Sequence, residues 1–113
     1  MISYELMFLK ALITTVIIEV LVLLGLWKLL FKKEKLEKVI FFGIVASTLT
    51  LPYVWFVFPV FFRGFGWIIF AELFAFLAES LIYKMSFSIS WKIALVISFI
   101  CNLASLLVGL IIF

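Results

Sequence analysis

The chain has 113 residues, 69% of them hydrophobic and 13% charged, with a formal net charge of +3. That leaves too little polar surface to cover a water-soluble globule, so the composition reads as one all-α, polytopic membrane domain over residues 1–113. Histidine and aspartate are absent and Cys101 is the single cysteine, which excludes disulfides, His-based triads, zinc sites and His-ligated haem; no cofactor, no metal and no enzyme activity are expected.

A helix needs about 20 apolar residues to cross a hydrocarbon core of about 30 Å, and four stretches qualify, at about 8–31, 39–62, 66–84 and 91–113. The first is read as a retained span and not a signal peptide, because Glu19 interrupts it and no small-x-small cleavage site follows. Ala11, Thr15 and Glu19 are spaced by four and share one face, so Glu19 is expected to point at other helices with Thr15 as its local hydrogen-bond donor. A basic segment, Lys32 to Lys38, ends this run. In the second run Gly43, Ser47 and Thr50 lie on one side, and Pro52 deprives the Thr48 carbonyl of its helical partner, which predicts a helix break near mid-membrane.

Arg63, Gly64 and Gly66 separate the second run from the third, where Glu72 and Glu79 lie two turns apart on one face with Ala75 between them and Tyr83 extending the stripe. After the break at Met85 to Ser90, where Ser90 can cap the next helix, the fourth run carries Ala94, Ser98, Asn102, Ser105 and Gly109 on one face. Small and amide side chains permit close helix approach and interhelical hydrogen bonds, so Ser98, Ser105 and Gly109 are read as a packing face.

Lys28, Lys32, Lys33, Lys35, Lys38, Lys84 and Lys92 fall on one side of these spans, against Lys10 and Arg63 on the other. By the positive-inside rule the 32–38 and 85–90 loops face the cytoplasm of a cell membrane and both termini face outward. Trp27, Trp91 and Trp67 sit where an interfacial belt places them, while Trp55 lies deeper and has no such explanation. The lysines cluster between apolar runs and do not form a face that tracks phosphates, so a nucleic-acid partner is excluded and the lipid bilayer is the expected surrounding. The lysine-rich loop reads first as a cytoplasmic retention signal, with contact to anionic headgroups as a second use. Nothing outside the four runs is expected to carry soluble chemistry.

Three intramembrane carboxyls without a lysine or arginine at their depth must be protonated, hydrogen-bonded, hydrated or available to a cation. The leading expectation is therefore a proton- or cation-coupled transporter, or a channel-like protein, whose pathway is lined by Glu19, Glu72, Glu79, Asn102 and Thr15. The carboxyls are expected to form a ladder across the membrane. Four helices of this size enclose little volume, which favours a homo-oligomer. The alternative is an accessory or structural subunit of a larger membrane complex, with the polar faces docked on partner helices and the glutamates acting only as interhelical glue. An intramembrane enzyme acting on lipid would need paired acid-base groups and a phosphate-binding motif, and the latter is lacking.

The combination of Ser47-x-x-Thr50-x-Pro52, Glu72-x6-Glu79-x3-Tyr83 and Asn102-x-x-Ser105 resembles a group of small four-helix prokaryotic integral membrane proteins, with Ser47 where Asn is usual. The resemblance covers three of the four helices and implies a fold and a set of positions, but no function. Chain length and a glutamate in the first span are also similar to small multidrug-resistance exporters, which use such a residue for proton and cationic-substrate exchange. The aromatic signatures of that family are missing and the charge bias opposes dual topology, so the likeness is architectural.

Overall fold

The computed structural model describes residues 3–57 and 66–112. The expected break at Arg63 and Gly64, the end of the second run at 58–62 and the Trp67 side chain lie outside the described residues. Those described form four long helices and no strand: α1 Tyr4–Leu30, α2 Leu36–Pro52 continuing as a π-helical segment Tyr53–Val57, α3 Gly66–Ser86 and α4 Trp91–Ile112. Three stretches, Tyr4–Leu30, Leu36–Val57 and Trp91–Ile111, are long and apolar enough to cross a membrane. The third helix carries Glu72, Glu79 and Lys84 along its length.

Local chemistry sets the helix ends. α1 begins four residues before its apolar run because Ser3 is a proper N-cap: its backbone is extended and its hydroxyl accepts from Leu6 N–H at 3.2 Å, with Glu5 in the first turn facing the positive end of the helix dipole. At the other end the Phe31 N–H returns 3.2 Å to the Trp27 carbonyl and the chain leaves the helix. Ser90 caps α4 as its position predicts, its hydroxyl accepting from Ile93 N–H at 3.3 Å. Pro52 ends regular α-helical bonding in α2, since it has no N–H to give, and the backbone widens into the π-helical turns.

The helices form a ring in chain order. α1 packs on α2 and α4, and α3 packs on α4 and α2, so α1 and α3 occupy opposite corners. The α1–α2 seam is closest at Gly43, where a Cβ would lie 3.0 Å from Leu23 Cδ2 and 3.4 Å from Val20 Cγ2. Exposed positions on α1 (Leu6, Leu9, Ile13, Ile17, Leu21) and on α3 (Ile69, Leu73, Leu77, Leu81) are large and apolar at helical spacing. Meanwhile Glu19, Ser47, Glu79, Ser80 and Ser98 are buried. Apolar outside and polar inside reverses the pattern of a bundle solvated by water. The molecule measures 45 × 24 × 21 Å, its long axis close to the roughly 40–45 Å of a bilayer with its headgroups.

Both described inter-helix loops, with most of the lysines, lie at one end. There the Glu34 side chain joins them: one carboxyl oxygen accepts from Ser88 N–H at 2.5 Å and the other pairs with Lys38 Nζ at 3.2 Å. The Glu34 carbonyl also accepts from Trp27 Nε1 at 2.8 Å. Directly beneath is an apolar plug that includes Leu23, Phe31, Tyr83, Phe87, Ile97 and Cys101. Phe87 organises its rings, stacking on Tyr83 at 5.8 Å and meeting Phe31 at 5.1 Å.

Candidate functional site

Above the plug, every helix contributes a polar side chain to the bundle axis. Glu19 from α1 is 1% exposed, and its Oε2 accepts from the Ser47 hydroxyl of α2. The Ser105 hydroxyl of α4, which donates to the Asn102 carbonyl at 3.1 Å, lies near the same carboxyl. From the opposite corner α3 delivers Glu79, also 1% exposed, whose carboxyl comes close to that of Glu19 across the ring and lies beside the Asn102 amide. Even so, Glu79 Oε1 has no hydrogen-bond partner among the described residues, and neither does the Tyr83 hydroxyl.

Side chain to backbone bonds fix the rest of the cluster. Asn102 Nδ2 donates to the Ser98 carbonyl at 2.8 Å and to its hydroxyl oxygen at 3.2 Å. Ser98 in turn donates 2.7 Å across to the Phe76 carbonyl of α3, which also accepts from Ser80 at 2.6 Å. These bonds set the rotation of α4 against α3, and so the height of Asn102 beside Glu79. Ser98 of the small-residue stripe thus bonds across to α3. Gly109, at the far end of the same stripe, does not contact a neighbouring backbone: a Cβ there would meet nothing within 4 Å, and the residue borders open space.

That space is a cavity of about 240 Å³ running from the carboxyl pair toward the end of the bundle that holds both termini. Glu19, Glu79, Asn102 and Ser105 form its inner end, Thr15, Thr50, Glu72 and Ala75 its walls, and Met7, Trp55, Gly109 and Leu110 its outer part. Glu72 is half-buried, and it also lines a groove of about 360 Å³ between α3 and α4, together with Asn102 and apolar side chains. The sequence-derived set Glu19, Glu72, Glu79, Asn102 and Thr15 thus meets on one cavity. The carboxyls do not form a ladder across the bundle: Glu19 and Glu79 are side by side, and the plug closes the way beyond them. Thr15 lines the wall, and the hydroxyl that donates to Glu19 comes from another helix, at Ser47.

Sequence reasoning left several contributors out. Ser47 was visible as part of the Gly43, Ser47, Thr50 face but not as the donor to Glu19. Trp55, which no interfacial rule places, borders the cavity mouth in an aromatic cluster. Its ring lies 5.2 Å from Tyr4 and 5.9 Å from Phe8, and its carbonyl, in the π-helical segment, accepts from the Tyr4 hydroxyl at 2.5 Å. The π-helical turns beside Pro52 bring Val54 and Trp55 to the cavity wall. No protein-family model, curated protein sequence or solved structure matches this chain.

Proposed function

We infer that the chain is a four-span integral membrane protein with its lysine-rich loops on the cytoplasmic side of a cell membrane, and that it acts as a proton- or cation-coupled transporter whose ion site is the Glu19–Glu79 pair. The observation that carries this reading is the meeting of two buried carboxyls, from opposite corners of the ring, at the inner end of a cavity whose walls are otherwise mostly apolar. Ionisable groups inside a membrane are costly and tend to mark ion paths. A cavity that ends at the carboxyl pair with an apolar plug beyond it suits a carrier that exposes its site to one side at a time, and not a continuously open channel. Glu72 on the wall is the first carboxyl a proton or cation meets on entry, and Asn102, Ser47 and Ser105 hold the pair in position. Hydroxyl, amide and carboxyl oxygens suit a proton or a hard cation.

A second reading is an accessory subunit of a larger membrane complex. The groove between α3 and α4 favours it, because apolar walls over Glu72 and Asn102 offer a seat to a helix from another subunit or a second copy of the chain. Flux separates the two readings. Purified protein in liposomes under a proton or cation gradient should dissipate it, and Glu19→Gln should abolish that flux with the fold intact; unchanged flux in Glu19→Gln sinks the transport reading.

A further inference from the structure

Glu79 and Tyr83 are one helical turn apart on α3, so their Cβ atoms lie about 5–6 Å apart on one face. Helical side chains lean toward the N-terminus of their helix, which aims the Tyr83 ring back along α3 toward Glu79. Tyr83 is 0% exposed and Glu79 1% exposed. The Tyr83 hydroxyl lies within the electrostatic reach of Glu79, Glu19 and Cys101. Both the hydroxyl and Glu79 Oε1 are without hydrogen-bond partners among the described residues, although the groups around them are bonded. Two neighbouring polar atoms in a core this closely packed are rarely left unpaired, because buried polar groups are almost always satisfied by protein or by ordered water. One can accept and the other can both donate and accept, and no hydrogen bond joins them directly.

We propose that Glu79 Oε1 and the Tyr83 hydroxyl together bind one buried water, which carries the polar route one helical turn past the carboxyl pair and into the apolar plug. The water donates to Glu79 Oε1 and accepts from the Tyr83 hydroxyl, and the Tyr83 ring, stacked on Phe87, fixes its position. Tyr83 is then a positioning residue that acts on the carboxyl pair through the water. Its place as the innermost station of an ion path rests on the transport reading; the water site itself does not.

Infrared spectroscopy of the full-length protein in bilayers tests the site directly. The carboxyl band of Glu79 is identified by its loss in Glu79→Gln. In Tyr83→Phe, which keeps the stacked ring, that band should move, and a water O–H band that shifts in H2-18O should disappear. A Glu79 band identical in wild type and Tyr83→Phe, or a wild type with no such water band, overturns the proposal. Should Tyr83→Phe fail to fold, the water band of the wild type decides alone. Neither readout involves flux, so loss of the water site leaves the transport reading standing, and the reverse also holds.

Discussion

Replacing Glu19 by Leu and by Gln separates what this carboxyl does for the fold from what it does chemically. Glu19 meets three side chains across the bundle, Ser47, Ser105 and Glu79. Interhelical hydrogen bonds in membranes average about 0.6 kcal/mol and reach about 1.7 kcal/mol, so Glu19→Leu should destabilise the bundle by about 2 kcal/mol. The loss should not grow much beyond that, because the two hydroxyls have local acceptors to fall back on: Gly43 O lies 3.4 Å from Ser47 Oγ, and Asn102 O lies 3.1 Å from Ser105 Oγ. Glu19→Gln keeps an acceptor for Ser47 and gains a donor toward Glu79, so it should cost under about 1 kcal/mol while removing the titratable proton. Reversible unfolding in mixed micelles, or steric trapping in bicelles, measures both. A double-mutant cycle with Glu79→Leu should return a coupling of about 0.6–1.7 kcal/mol between positions 19 and 79. A coupling of zero would mean that the two carboxyls do not meet, and would refute the geometry on which the site rests.

Two more substitutions probe the packing on either side of the site. Gly43→Leu places carbon into the α1–α2 seam, where even a Cβ is only 3.0 Å from Leu23 Cδ2, and should cost about 1–3 kcal/mol in the same unfolding assay. Gly43→Ala should be close to neutral, since the gain of about 1 kcal/mol in helix propensity offsets a contact that the Leu23 methyl can relieve. Glu34→Ala strands the Ser88 N–H and breaks the Lys38 pair, and should speed hydrogen exchange at the Ser88 amide. Glu34→Gln, which keeps an acceptor for that amide, should leave the exchange near the wild-type rate.

Helix number and most polar positions could be read from the sequence because a glutamate or asparagine inside an apolar run stands out against its neighbours. Glu19, Glu72, Glu79 and Asn102 all reach one cavity for that reason. Spacing along one helix says nothing of its rotation against another, so the pairing of Glu19 with Glu79, and the part played by Ser47, had to come from packing. Pro52 marked the break but not its form, since loss of one N–H is compatible with a kink or with the π-helical turns that occur. The start of α1 at Tyr4 was hidden because its first turn is held by the Ser3 cap and Glu5, which add nothing to an apolar run. Glu34 was read as one charge in a basic loop; its link to Ser88, 54 residues away, is a tertiary contact with no local signal.

The transport reading requires water to reach the buried carboxyl pair along the cavity and to stop at the apolar plug. It is tested most directly by reactivity with a water-soluble, membrane-impermeant thiol reagent, using single cysteines at Gly109, Ala75 and Ile97 in a Cys101→Ala background. Gly109→Cys and Ala75→Cys, on the cavity wall, should react, and Ile97→Cys, in the plug, should not. Protection at Ala75→Cys, or equal reactivity at Ile97→Cys, would contradict the one-ended cavity and the ion site at its floor.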